Sequence, residues 1–218
     1  MNDAPIVVAI DGPAASGKGT LARRIAAHFG LAHLDTGKLY RATALAVLDA
    51  GGDPHDVATA EKATQALDLS RLDDPRLRGD DVGSAASVVA AIPAVRAALL
   101  EAQRRFAHHP PSPAEGAVLD GRDIGTVVCP NATVKLFVTA SVESRAERRA
   151  KELRESGAAA IYDDVLQGMK ERDARDSERR VAPLSAAPDA VIIDTTLLDP
   201  DQVFERASEL IARSLARR

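Results

Sequence analysis

Short apolar runs rich in valine and isoleucine recur along this chain, each bounded by turn residues and separated by longer amphipathic stretches. The runs are IVVAI from Ile6, AHL from Ala32, AVLD from Ala117, VKLFV from Val134 and AVIID from Ala190. Each is too short for a helix and reads as a strand, while the stretches between them carry apolar residues at helical intervals. Strands separated by helices predict right-handed crossovers and a parallel sheet covered on both faces, an α/β fold.

Punctuation residues place the helices. Ile92-Pro93 and Asp199-Pro200 put proline in a first helical turn, the second behind a good N-cap. Gly157 closes the run SVESRAERRAKELRESG that starts at Ser141. HHPPSPAEG, from His108, reads as a loop leading into the strand at Ala117. The stretch LDLSRLDDPRLRGDDVGS, from Leu67, follows neither period and is expected to be a small excursion from the main sheet.

Length and charge bound the picture. A chain of 218 residues suits one α/β domain, or one domain carrying a small insert. Its formal net charge of −4 argues against a general grip on nucleic acid or anionic membrane, so the positions of the arginines matter more than their sum. Cys129 is the only cysteine, which rules out an intrachain disulfide and fits a reducing compartment. MNDAPIVVAIDG lacks a basic start and a cleavable apolar run, so a cytoplasmic protein is expected.

The first chemistry lies in IDGPAASGKGTLARR, from Ile10. Gly12-x4-Gly17-Lys18 follows a strand and precedes an amphipathic helix, the context a phosphate-binding loop requires. Glycines let backbone N–H groups approach an anion without a Cβ in the way, and the helix start offers unpaired N–H groups to the same anion. Lys18 adds a mobile charge that can follow a transferring phosphoryl group. The hydroxyl comes at Thr20 rather than directly after the lysine, where Gly19 stands, so contact with Mg²⁺ through water is as good a reading as direct ligation.

Four further stretches fall where strands end or helices begin. LDTGKLYRA carries Asp35, Thr36, Tyr40 and Arg41, and AASVVAAIPAVRAALL carries Ser87 and Arg96. VLDGRDIGT carries Asp120, Arg122 and Asp123, and KERDARDSERRVAPL carries Arg172, Asp176 and Arg179. Ligands of open α/β sheets bind beyond the carboxyl ends of the strands, where Asp35 and Asp120 fall. An arginine at that place can offer a bidentate fork to phosphate. The last stretch alone would suit a solvated helix laced with ion pairs at four-residue spacing. Beside a phosphate loop, the helix pair from Ser141 to Val181 reads instead as a closing lid whose arginines neutralise phosphate oxygens. Tyr40 fits either core or site. His28, His33, His55 and the His108-His109 pair have no ligand spacing, and no metal cage is predicted.

With IDGPAASGKGT, LDTGKLYR, AASVVAAIPAVR, DGRDIGTVV, and KERDARD with VAPL in this order, the chain resembles the bacterial cytidylate kinases of the nucleoside monophosphate kinase superfamily. That resemblance implies transfer of the γ-phosphoryl of ATP to CMP or dCMP with Mg²⁺, by a monomer with a P-loop three-layer fold. Its five-stranded parallel sheet would form a core of residues 1–50, 117–140 and 189–218, with a nucleotide-monophosphate insert at about 51–107 and a lid at about 148–183. Gly12, Pro13, Ala14, Ala15, Ser16, Gly17, Lys18, Gly19 and Thr20 would hold the ATP phosphates, with Mg²⁺ carried by ATP and water near Thr20 and Asp120. Arg41 and Arg122 would grip the CMP phosphate, with Thr36 and Tyr40 in the same substrate set. Ser87, Arg96 and Asp123 would read cytosine, and Arg172, Asp176 and Arg179 would meet the pentose and close the site. Lys18, Arg41, Arg122, Arg172 and Arg179 are the expected catalytic cations. Cytosine offers an amine that Ser87 and Asp123 can accept, and ring acceptors that Arg96 can serve; uracil would set a carbonyl against a carboxylate. The segment Leu67–Ser84 is shorter than the sheet-bearing insert of that family, and Lys38 stands where a small residue is common. A kinase for UMP or AMP, or a switch that hydrolyses ATP without an acceptor, shares much of this pattern.

Overall fold

The structure, a computed structural model, describes residues 5–68, 72–155 and 157–217. Its elements run β1 (Ile6–Asp11), α1 (Lys18–Phe29), β2 (Ala32–Asp35), α2 (Thr36–Asp49), α3 (Val57–Gln65), α4 (Asp80–Val89) and α5 (Pro93–His108). They continue as β3 (Gly116–Gly121), β4 (Val134–Thr139), α6 (Val142–Glu155), α7 (Tyr162–Glu178), β5 (Val191–Asp194) and α8 (Pro200–Leu215). All five strands pair in parallel, in the order β2-β3-β1-β4-β5. The expected parallel α/β sheet is present, and its strands coincide with the five apolar runs to within a residue or two.

Alternation along the strands feeds two layers. Val8 and Ile10 of β1 pack with Leu21 and Ile25 of α1 and with Val203 and Ile211 of α8. Val7 and Ala9 face the other way, against Ala107 of α5 and Ile124. A third cluster holds no strand residue: Leu39, Leu45, Ala60, Leu77, Val82, Val89, Val95 and Leu99 come from α2 to α5 and the turn between α3 and α4. Among the described residues, the stretch from Leu67 contributes a 3-10 turn, Pro75–Arg78, and the start of α4, and no strand. The excursion is therefore helical, held by this small core and by the Asp49–Arg76–Asp74 ion pairs.

The register sets out the site. Asp120 pairs with Ile10 of β1 on one side and with Asp35 of β2 on the other. The carboxyl ends of three strands are thus level, where the chain order switches from β2-β3 to β1, the place an open α/β sheet offers to a ligand. Among the described residues no single helix is long and apolar enough to cross a membrane.

Candidate active site

The loop between β1 and α1 is shaped by its glycines. Gly12 lies at φ 150°, and a Cβ there would sit 2.0 Å from the Val138 carbonyl oxygen. Gly17, in the left-handed region at φ 90°, precedes α1 with no side-chain cap, which leaves the first N–H groups of the helix open to an anion. Ala14, Ala15, Gly17, Lys18, Gly19 and Thr20 line a cavity beyond the strand ends; Gly12, Pro13 and Ser16 do not. Gly12 serves close packing, the Pro13 carbonyl accepts from Lys18 Nζ at 3.1 Å, and the Ser16 hydroxyl is buried without a partner. Desolvation and the charge of Arg122 lower the Lys18 ammonium to about 7, against the opposing pull of Asp120 and Asp35.

Every residue expected on the acceptor side lines the same cavity: Thr36, Tyr40, Arg41, Ser87, Arg96, Arg122, Asp123, Arg172, Asp176 and Arg179. Arg122 and Asp123 follow β3, Arg41 lies in α2, Ser87 in α4, Arg96 in α5, and Arg172 and Asp176 in α7. Arg96 and Asp123 form a buried ion pair. Asp176 accepts from Ser87 Oγ at 3.2 Å and from Arg122 Nε at 3.0 Å. The reading of this stretch as a solvated helix laced with its own ion pairs is therefore overturned: Asp176 is buried and pairs across the cavity. Burial, with Arg122 beside it, lowers Arg172 to about 9, and its Nε and the Nη2 of Arg179 are buried without hydrogen-bond partners. Crowded cations with orphaned donors are the signature of a site for a polyanion. Tyr40 packs against the helical cluster and lines the cavity, its ring lying under Arg96 at 5.7 Å.

Sequence reading missed several supports. Asp11, 4% exposed, accepts from the backbone N–H groups of Ile124 and Gly125, each at 2.7 Å, and so anchors the loop bearing Arg122 and Asp123. His33, dismissed on spacing, lies 3.2 Å from Asp120 through Nε2. Arg145 joins the phosphate loop to α7, and Arg148 reaches Thr195, whose hydroxyl donates to the Ser16 carbonyl at 3.0 Å. None of these partners shares a period or a motif with the residue it serves, which is why the sequence is silent on them. Arg23, Asp35 and Glu152 also line the cavity. Lys38 points away from a phosphate role, pairing with Asp73 at 2.7 Å.

Comparison with known proteins decides the family. The profile described as cytidylate kinase matches residues 8–213. The chain belongs to the cytidylate kinase family. A cytidylate kinase of Rhodospirillum rubrum is 60% identical over 207 residues, covering 95% of this chain and 97% of its own length. One from Granulibacter bethesdensis is 56% identical over 212 residues, covering 97% and 99%. Among solved structures, a protein from Eubacterium ventriosum superimposes with a TM-score of 0.51 at 13% identity, over 95% of this chain and 98% of its own, a likeness of fold. The cytidylate kinase resemblance carried by the five sequence stretches is borne out.

Beside the phosphate loop of this cytidylate kinase family member runs a second, more apolar groove. Ser16, Leu21, Arg148, Thr195, Leu198 and Val203 are among its lining residues. It meets the first cavity at Ala15, Gly17, Thr20 and Glu152, which line both.

Proposed function

We propose that this protein transfers the γ-phosphoryl group of ATP to CMP or dCMP, giving ADP and CDP or dCDP. The observation that carries it is the single cavity in which a phosphate loop meets five basic side chains and the Ser87, Arg96, Asp123 trio. ATP phosphates lie on the loop from Ala14 to Thr20, and the more apolar groove beside it takes the base of ATP. Arg41 and Arg122 hold the acceptor phosphate, Ser87 and Asp123 accept the cytosine amine, and Arg96 serves the ring acceptors. Arg172, Asp176 and Arg179 meet the pentose and the transferring group. The acceptor oxygen is already anionic, so catalysis is alignment plus neutralisation by Lys18 and the arginines, with no general base.

The residues fit a hydrated Mg²⁺. Asp120 is buried, its Oδ2 lies 3.6 Å from the place of a Cβ on Gly19, and Thr20 lines the same cavity. Two oxygen donors of this kind suit an ion whose remaining ligands come from ATP and water. Asp120 and Thr20 would hold it there, and bound Mg²⁺ would draw charge from the phosphate oxygens.

We assign residues 1–50, 117–140 and 189–218 to a core, about 51–107 to the acceptor-binding insert, and about 148–183 to a lid, acting as a cytoplasmic monomer. The deciding experiment offers CMP, dCMP, UMP, AMP and GMP separately with ATP and Mg²⁺ and follows ADP. Turnover confined to CMP and dCMP supports the reading. Turnover led by another monophosphate overturns the base-reading trio, and hydrolysis indifferent to every acceptor overturns phosphoryl transfer altogether.

A further inference from the structure

Arg145 does not line the substrate cavity, yet its side chain is 5% exposed and every donor group of its guanidinium is engaged. Nε donates to the Ala140 carbonyl at the end of β4 at 3.0 Å. Nη1 donates to the Ala14 carbonyl of the phosphate loop at 3.3 Å and to Asp173 Oδ1 at 3.1 Å, and Nη2 donates to Asp173 Oδ2 at 2.5 Å. One planar fork therefore ties together the sheet, the phosphate loop and α7.

The two distant partners sit at informative places. A trans peptide points its carbonyl and the following N–H in opposite directions, so holding the Ala14 carbonyl outward aims the Ala15 N–H away from Arg145. Ala15 takes a left-handed φ of 56°, a conformation that needs such outside support in a residue with a side chain. On the other side, Asp173 directly follows Arg172 and lies one helical turn before Asp176, two residues of the acceptor side. A lysine at 145 could serve one partner; only the guanidinium spans both with fixed geometry.

We propose that Arg145 is a positioning residue that couples the two nucleotide sites: the loop geometry that receives ATP and the seating of α7 over the acceptor favour each other through its contacts with Ala14 and Asp173. The proposal rests on the reading of the cavity as a joint ATP and CMP site. Coupling of this kind is reciprocal, so a donor that orders the loop tightens the acceptor, and the reverse.

The test is calorimetric binding of CMP to the intact protein, alone and with a saturating non-hydrolysable ATP analogue and Mg²⁺. The same titrations are run on Arg145→Lys and Asp173→Asn, with thermal melts as a control for folding. In the wild type the analogue is expected to tighten CMP by about fivefold or more, the lower end of ordinary allosteric coupling. In Asp173→Asn, which leaves the Ala14 contact in place, each nucleotide alone binds within about twofold of wild type, while in both variants the mutual tightening falls to about one. Because Asp173 is partly exposed, its variant reports even if Arg145→Lys folds poorly. Mutual tightening preserved in Asp173→Asn, or absent from the wild type, overturns the proposal. Failure of the wild type to bind CMP at all is a different result, and it removes the reading on which the proposal rests.

Discussion

Asp176 and Arg122 meet at 3.0 Å, carboxylate Oδ2 to guanidinium Nε, although one lies on α7 and the other just beyond β3. Oδ1 of the same carboxylate takes the Ser87 hydroxyl of α4. Three segments that enclose the cavity thereby converge on one buried group. Desolvation pushes this carboxyl upward, but Arg122 and Arg172 outweigh it and hold it below the usual carboxylate range, so it stays ionised at neutral pH.

Arg122→Ala is expected to lower kcat/KM for CMP by about 10²–10³, the range found when one preorganised donor to developing charge is removed. The fold should tolerate it, because Asp176 keeps Ser87 and the nearby charge of Arg172. Steady-state kinetics and a thermal melt check this together. Activity and stability lost in equal measure would contradict the role given to Arg122.

Base choice should reside in Asp123, whose carboxyl is raised by burial against the opposing charges of Arg96, Arg179 and Arg122. Asp123→Asn can turn an amide N–H toward a uracil carbonyl as readily as its oxygen toward a cytosine amine. The ratio of kcat/KM for CMP over UMP should fall about tenfold or more, since a buried polar mismatch is what sustains such discrimination. Ser87→Ala, which removes an acceptor without disturbing the Arg96–Asp123 pair, should shift the ratio the same way by a smaller factor. An unchanged ratio in both variants would place the selection of the base elsewhere.

Lys18 gives a pH signature. Its ammonium, lowered to about 7 by desolvation and Arg122, is charged below that pH and neutral above it. Phosphates of a bound nucleotide favour the charged form, so binding above pH 7 takes up a proton and affinity falls as pH rises, by up to tenfold per unit. Calorimetry of ATP at pH 8 in two buffers of different ionisation enthalpy measures that uptake directly. Lys18→Arg, charged throughout, should lose both the uptake and the slope. Wild-type affinity flat from pH 7 to 9 would mean that the ammonium keeps one charge state across that range.

The sequence was most informative where chemistry is local. The phosphate loop is one unbroken run, its glycines and lysine placed by spacing alone, and the central strands β1 and β3 declared themselves because they are buried on both faces and read as continuous apolar runs. Arg172 and Asp176 were ambiguous in sequence, since four-residue spacing on a helix is the same for a solvated ion pair and for two groups facing a cavity; only the packing of α7 beside α4, with Asp176 against Ser87 and Arg122, separates them. Asp11 and Arg145 were illegible. Asp11 meets backbone N–H groups 113 and 114 residues away, and Arg145 reaches the Ala14 carbonyl 131 residues back and Asp173 28 residues on; no periodicity records a tertiary contact of that kind. His33 was hidden for the same reason. The Leu67–Ser84 stretch carries no strong period because its described turn and helix bury only a few residues each, such as Leu77 and Val82.

Asp11 supplies the last prediction. Its carboxylate accepts both the Ile124 and Gly125 N–H groups, yet burial outweighs these bonds and raises its pKa from 3.8 to about 6. A raised carboxyl binds its proton more tightly folded than unfolded. The folded state therefore carries no penalty from it below about pH 4, and the full penalty above about pH 6. The difference in unfolding free energy between wild type and Asp11→Asn should consequently shift by about 3 kcal/mol against the wild type between pH 4 and pH 7, which denaturant titrations can follow. The asparagine has its own defect: one amide oxygen cannot replace two carboxylate oxygens, and its NH₂ faces a backbone donor, leaving a buried N–H unpaired. The loop bearing Arg122 and Asp123 should loosen, and kcat/KM should fall about tenfold even at pH 7. A stability difference constant across pH would show that Asp11 ionises normally in the folded protein. Full activity in the variant would show that these two hydrogen bonds do not position the loop.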